Sequence, residues 1–318
     1  MTTLITGGMG FIGLHTARAF LDAGEDVVIT YFQTWREPSF IKDDYHKRVQ
    51  IEQVDVTDRD GLMALGKKHK IDRVAHLAVP GLGALGPVDD LRTNITGLTY
   101  VLEAALEWGV KRLTLASSVA VYAGLPTGPF VEDALLPIAS GNPTETFKKA
   151  WEILALHFAA RTTGLEIISM RIGGIWGPLY HSMANLPSRL THAAVKGTDP
   201  DLAATRGGVP FADDGGDMCY VKDCAQGIQL LTLTEKLPHS IYNVGSGRAT
   251  TNGELLAAVK QAVPTCIMEI KAGRSPRWRQ DVYMDISRIK ADTGYAPRYT
   301  VATGVQDYVA WLQAGNAR

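Results

Sequence analysis

The stretch Thr6-Gly7-Gly8-Met9-Gly10-Phe11-Ile12-Gly13 constrains this chain more than any other part of it. A short apolar run, Thr3-Leu4-Ile5-Thr6, precedes it and reads as a buried strand. A segment from Phe11 to Ala23 follows and reads as a helix, stopped by Gly24. Glycines at 7, 10 and 13 leave room for a tight turn, for a phosphate to approach the backbone, and for the helix to pack on the strand. The helix would then offer free N–H groups and the positive end of its dipole to an anion. A glycine triplet alone is weak evidence. Between a strand and a helix at the head of an alternating chain, it predicts a dinucleotide pyrophosphate site. Gly7, Gly10, Phe11, Ile12 and Gly13 are its expected contacts.

The first half of the chain keeps the alternation. Strands are expected at 27–30, 49–54, 73–78, 112–116 and 166–170, and helices at 11–23, 58–69, 94–108 and 146–163. Such βαβ units build a parallel sheet covered on both faces, so the expected fold is α/β, doubly wound, of Rossmann type. After Gly173 the rhythm breaks. Residues 177–216 are rich in Gly, Pro and Asp, with one clear helix at 186–195; helices at 223–234 and 254–262 and a strand at 241–244 follow. The expected division is a dinucleotide domain over 1–172 and 218–246, with a smaller C-terminal substrate lobe over 173–217 and 247–318.

A chain of 318 residues can hold one large domain or two interlocked ones. Its net charge of -1 argues against a nucleic-acid or membrane-surface partner, since both favour a basic excess. No apolar run is long enough to span a membrane, and no basic leader precedes the first strand. Cys219, Cys224 and Cys266 lack zinc or redox spacing, so no metal is expected, and the reading is of reduced thiols in a cytoplasmic protein.

At the end of the second strand, an acidic residue would hold the ribose 2′-hydroxyl and select NAD. The chain reads Ile29-Thr30-Tyr31-Phe32-Gln33-Thr34-Trp35-Arg36 there, without a carboxylate. Tyr31 is placed to pack on the adenine and Arg36 to pair with a 2′-phosphate, so both NAD and NADP fit.

With these motifs in view, the chain resembles the extended short-chain dehydrogenase/reductases of the nucleotide-sugar epimerase/dehydratase group, over nearly its whole length. Thr6 to Gly13 matches that family's TGxxGxxG. Asp55-Val56 resembles its adenine-contacting pair, and His76-Leu77-Ala78-Val79 its HLAA stretch beside the cofactor. Ser117-Ser118-Val119-Ala120-Val121-Tyr122 resembles its SSxxVYG, and Tyr242-Asn243-Val244-Gly245-Ser246-Gly247 its YNVGSG turn. The resemblance implies hydride transfer between a nicotinamide and a hydroxylated, sugar-like small molecule. It adds Asp55, Val56, Leu77 and Ala78 to the expected cofactor contacts. It also implies a Ser that holds the substrate oxygen and a Tyr–Lys pair, spaced i, i+4 on one helical face, that moves the hydroxyl proton.

Ser118 matches the serine. Lys148 matches the lysine, which also binds the cofactor ribose, with Glu152 in the family's K-x-x-x-E. The tyrosine position holds Thr144. Threonine does not ionise near neutral pH, so Glu145, Thr144 through a water, or Tyr122 stands as the replacement; otherwise the redox step is impaired or the chain was altered here. In the late segments Gly174 and Gly216 stand where the family has Asn and Arg. Arg274, Arg277 and Arg279 form a basic cluster able to meet a phosphate or carboxylate. Two other functions remain compatible with these residues: a redox-silent dinucleotide sensor or scaffold, and a lyase using a carboxylate such as Glu145. The resemblance further implies a homodimer built from the helices at 94–108 and 146–163, with Leu98, Val101, Leu102, Ala105, Leu154 and Phe158 as the apolar surface.

Overall fold

In chain order the strands are β1 (Thr2–Thr6), β2 (Asp26–Tyr31), β3 (Val49–Gln53), β4 (Arg73–His76), β5 (Arg112–Ser118), β6 (Glu166–Ile172), β7 (Gly174–Trp176), β8 (Gly215–Tyr220), β9 (Ile241–Val244) and β10 (Ala249–Thr251). The computed structural model describes residues 1–316 except 38, 82–83, 204 and 206–207. Seven strands form one sheet in the order β3-β2-β1-β4-β5-β6-β9, parallel throughout. The winding reverses between β1 and β4. At such a switch point the loops leaving two neighbouring strands diverge and open a crevice above the sheet. The doubly wound α/β fold expected from the sequence is the fold observed.

The helices are α1 (Phe11–Asp22), α2 (Ser39–Lys42), α3 (Arg59–Lys68), α4 (Pro87–Glu107), α5 (Pro143–Ala159), α6 (Leu186–Lys196), α7 (Val221–Leu233), α8 (Asn252–Ala262), α9 (Ser287–Thr293) and α10 (Val301–Gln313). One sheet face is covered by α1 and α7, through Leu14, Ala17, Phe20, Cys224, Ile228 and Leu231. The other is covered by α3, α4 and α5, through Leu62, Leu98, Val101, Leu102, Trp151 and Ala155. A second, three-stranded sheet in the order β10-β8-β7 joins α6, α8 and α10 around a separate core that holds Trp176, Leu190, Tyr220, Leu255, Val259, Val305 and Tyr308. β8 crosses the expected boundary at residue 217.

Both long helices start earlier than their apolar periodicity indicates. α4 begins at Pro87 and α5 at Pro143, each with proline in its first turn. Proline lacks an N–H that the first turn would leave unpaired, and its fixed φ suits a helix start. Asn142 caps α5 by accepting the Glu145 N–H at 3.0 Å. This earlier start brings Thr144 into the first turn of α5.

Four of the six residues expected at a subunit interface are already packed inside their own subunit: Leu98, Val101, Leu102 and Ala105 are at most 5% exposed. They face the sheet from α4. The thiols of Cys219, Cys224 and Cys266 are free. Among the described residues, no helix is long and apolar enough to cross a membrane.

Candidate active site

The turn after β1 is built around the Thr6 hydroxyl. It accepts the Leu77 and Ala78 N–H groups, at 3.2 Å each, and so donates its own hydrogen to His76 Nδ1 at 2.7 Å. Burial, helped by the Lys148 charge, holds His76 neutral with its pKa pushed down to about 3. β1 and β4 are thereby locked together where the sheet reverses. Gly7 follows at φ +67°, with the Ala78 backbone 3.0 Å from where its Cβ would be. Gly13 lies closer still: a Cβ there would stand 2.3 Å from the Gly7 carbonyl oxygen. α1 can therefore press against the turn only with glycine at 13.

Gly10 is the N-cap of α1 and provides no side-chain cap. The uncapped first turn faces a cavity of about 1300 Å³ lined on this side by Gly7, Gly10, Phe11, Ile12, Gly13 and Leu77. Bare N–H groups, a positive helix end and no side chain in the way suit a pyrophosphate. The glycine cradle thus fits the dinucleotide that the sequence predicts.

The remaining expected cofactor residues flank the cradle instead of lining the cavity. Tyr31 ends β2, its ring edge-on to Trp35 at 5.4 Å. Arg36 is half-buried and donates Nη1–H to the Met9 carbonyl at 2.7 Å, so it buttresses the loop. Asp55 Oδ1 accepts the Thr57 N–H at 2.9 Å, which closes a local turn, and Val56 packs in the core. Ala78 contributes the N–H given to Thr6.

Ser118, Thr144 and Lys148 all line the same cavity, deeper along it. Ser118 ends β5 and caps the 3₁₀ turn Val119–Tyr122: its Oγ accepts the Ala120 N–H at 3.1 Å, which leaves its own O–H free to donate. Lys148 is buried in the wall of α5. Its Nζ donates to the Ala116 carbonyl at 2.6 Å and sits 4.0 Å above the Trp151 ring. Burial pushes its pKa down to about 7 against the attraction of the Glu152 carboxylate. Glu152 is itself engaged elsewhere, accepting from Arg171 at 2.8–3.2 Å and from the Ser117 hydroxyl.

Two of the expected replacements for the tyrosine lie outside the cavity lining. Tyr122 lies in a buried network away from the cavity lining. Its hydroxyl donates to Asn243 Oδ1 at 2.7 Å and accepts from Arg171 at 2.9 Å. Burial raises its pKa to about 12, so it is a poor proton acceptor. Glu145 also does not line the cavity. Its carboxylate binds Lys149 at 2.8 Å and the Gly141 N–H at 2.9 Å, an arrangement that ties the start of α5 together. A side chain one position after Thr144 points off the helical face that carries 144 and 148.

Beyond the lysine, the cavity is walled by the second lobe, with Trp176, Tyr180, Asn185, Asp214 and Asp217 among its residues. Gly174 has a structural reason for being glycine: a Cβ there would lie 2.6 Å from the Asp217 carbonyl oxygen, so asparagine would not fit. Burial raises the Asp217 pKa, while N–H groups of Ser246, at 2.8 Å, and Met284, at 3.2 Å, support its ionised form. Asp217 thereby fixes the turn after β9. Arg274, Arg277 and Arg279 do not line the cavity. Arg274 stacks over Trp278, and Arg279 donates to the Leu125 carbonyl at 2.9 Å. Tyr180 was not among the residues expected from the sequence. Its ring meets Phe11 edge-on at 5.0 Å, and it follows Leu179, which is held at φ +72°. That strained backbone is a tertiary feature with no local sequence signature.

A parallel doubly wound sheet with a glycine cradle at its switch point defines a dinucleotide-binding protein of Rossmann type. The chain belongs to the NAD dependent epimerase/dehydratase family, whose profile matches residues 3–245. It is 28% identical to the dTDP-glucose 4,6-dehydratase of Streptomyces griseus and 27% identical to UDP-glucose 4-epimerase 2 of Arabidopsis thaliana, covering 98% of this chain and 94% of each relative. The UDP-glucose 4-epimerase of Thermus thermophilus, solved with NAD, is 26% identical with a TM-score of 0.76 over 98% of this chain and 99% of that one. The UDP-glucose 4-epimerase of Thermotoga maritima, solved with UDP-glucose, superposes with a TM-score of 0.81 over 99% of both chains at 22% identity, a likeness of fold alone.

Proposed function

We propose that this protein is an NAD-dependent epimerase or dehydratase that oxidises a secondary hydroxyl of a sugar-like substrate. The observation that carries the reading is the single cavity shared by the glycine cradle, Ser118 and Lys148. The bound nicotinamide supplies a hydride acceptor. Gly7, Gly10 and Gly13 would hold the pyrophosphate, and Lys148, in the same cavity, would bind the ribose. The free Ser118 O–H orients the substrate oxygen. The second lobe, with Asn185 and Asp214 in its wall, closes over the sugar. The sugar nucleotides handled by the relatives, UDP-glucose and dTDP-glucose, are the first substrates to test.

The experiment has two stages. Calorimetric titration with NAD should show binding, and incubation of the loaded protein with each sugar nucleotide should give an epimer or a dehydrated product by NMR. Absence of NAD binding overturns the reading. NAD binding without turnover favours the redox-silent sensor, to which Thr144 at the tyrosine position already points. Turnover that persists without NAD would bring the lyase forward.

Assembly is part of the same proposal. Leu91 of α4, Ile153 and Leu154 of α5, and the loop residues Leu135 and Ile138 are exposed apolar side chains, with Ile138 99% exposed. Exposed apolar surface of this kind suits a subunit interface. The proposed homodimer uses these residues in place of the four that α4 buries at home.

A further inference from the structure

The proposed oxidation needs a proton acceptor, and this inference rests on that oxidation reading. Tyr122 and Glu145 lie outside the cavity lining, and the Thr144 hydroxyl does not ionise near neutral pH. Among the described residues, four side chains lining the cavity can titrate: Lys148, Tyr180, Asp214 and Asp217. Asp217 spends its oxygens on the N–H groups of Ser246 and Met284. Asp214 precedes β8, four residues from Met218, the partner of Gly174; at strand rise that sets it about 13 Å further out. Its Oδ1 accepts the Ser275 N–H at 2.9 Å. The Lys148 amine is turned to the β5 backbone, where it donates to the Ala116 carbonyl. Tyr180 is different: among the described residues, its hydroxyl has no hydrogen-bond partner.

The fold holds this tyrosine in place from both sides. Before it, the Pro178 carbonyl accepts from His15 of α1 at 3.1 Å, and Leu179 is buried in the main core at φ +72°. After it, the Met183 N–H donates to the Tyr180 carbonyl at 3.3 Å. The ring rests edge-on against Phe11, 5.0 Å away, and Phe11 opens α1 directly after the glycine cradle. Ser118 lies across the cavity, at the end of β5, opposite Ile172 of β6. Only β4 separates β1 from β5, so the strands carrying the two walls are about 10 Å apart. Leu77 and Val79, from the loop after β4, line the cavity between them. A crevice of that width takes one sugar ring.

We propose that Tyr180 is the proton acceptor of this site, a phenol supplied by the segment after β7 in place of the one missing from α5. The substrate hydroxyl lies between Ser118 and Tyr180. Its O–H bond breaks and the proton passes to the Tyr180 phenolate oxygen. The electron pair of the substrate C–H bond leaves as hydride to the bound nicotinamide, and a carbonyl forms. In the reverse direction Tyr180 returns the proton. Tyrosine is a competent proton carrier, and a positive charge such as the oxidised nicotinamide ring favours its phenolate.

The first readout needs no turnover. Protein labelled with ring-fluorinated tyrosine is followed by fluorine NMR, and the resonance missing from Tyr180→Phe should shift when NAD is added. A resonance unmoved by saturating NAD puts the phenol away from the cofactor and overturns the proposal. Turnover is then measured with UDP-glucose and dTDP-glucose. No product from the wild type sinks the oxidation reading, and the role of Tyr180 with it; that failure is read on the wild type alone. Where one does react, Tyr180→Phe should lose about 10²-fold or more in kcat, the scale of one placed proton carrier, with KM and NAD affinity unchanged. Its Tm should hold as well, because the hydroxyl removed has no partner in the fold. Wild-type kcat in the variant assigns the proton to another group and overturns the proposal. Loss of NAD affinity together with kcat makes Tyr180 a cofactor-positioning residue and overturns it equally.

Discussion

Two glycines of one loop do different jobs, and the difference is measurable. At Gly13 the nearest obstacle is backbone, the Gly7 carbonyl oxygen at 2.3 Å, and it cannot swing aside. Gly13→Ala should therefore cost about 1–3 kcal/mol of stability, the range for overpacking. At Gly10 the one close atom is 3.0 Å away and the rest of the space is the cavity itself. Gly10→Val should fold with a near-normal Tm while losing NAD affinity, because its side chain occupies the pyrophosphate's place. Thermal melts and calorimetry on both variants separate the roles; unchanged affinity in Gly10→Val would show that the pyrophosphate lies elsewhere. The motif already assigned the phosphate approach to Gly10 and the helix–strand packing to Gly13. What it could not give is the obstacle at Gly13, because that clash depends on where a second turn of backbone passes.

At the scale of elements, α1 does more than end at a phosphate site. Its His15 is buried, with Nε2–H donating to the Pro178 carbonyl at 3.1 Å. The bond ties α1 to the segment that carries Tyr180 into the cavity. Burial lowers the His15 pKa to about 4 from an ordinary 6.5, outweighing the bond to Pro178 that raises it. The unfolded chain then binds a proton between those values and the folded chain does not. Stability should fall as pH drops from 6.5 towards 4 and lose nothing more from this group below that. His76, lowered to about 3, acts in the same direction. Urea midpoints measured across this range should decline less in His15→Gln, whose amide can still donate to Pro178. Equal slopes would exclude His15 as a source of acid sensitivity. α4 and α5 show how element boundaries escaped periodicity: Pro87 and Pro143 look like loop residues until they are seen to occupy the first turn. That shift of three residues in α5 is what brings Thr144 onto the helical face of Lys148.

For the whole molecule, the open question is how the outer faces of α4 and α5 are covered. The inner face of α4 is spent on the sheet, which leaves Leu91, Ile153, Leu154, Leu135 and Ile138 exposed. Light scattering at micromolar concentration with NAD present should give the mass of two subunits, and Leu154→Glu should give one. A wild-type monomer would remove the dimer from the proposal. The two cores also divide the labour. The sheet and its flanking helices position the cradle, and the smaller core around Trp176 and Tyr308 backs the opposite wall.

The sequence by itself determined the doubly wound sheet, the glycine cradle and the family, because each is written in short-range terms. Strand and helix periods, a turn that must be glycine and motifs of a few residues are all set by neighbours in the chain. Ser118 and Lys148 could be marked in the same way. Only the tertiary structure decided which candidates face the cavity. Tyr122 and Glu145 were each plausible by position along the chain, and each is captured by a partner: Tyr122 by Asn243, 121 residues away, and Glu145 by Lys149 on its own helix. Gly174 was legible as a departure from the family, but its reason, the Asp217 carbonyl, lies on a different strand. Tyr180 reaches the cavity through a backbone strain that no local pattern encodes. Burial and partnership are sums over contacts distant in sequence, as at Lys148, which is buried against the Ala116 carbonyl of another element.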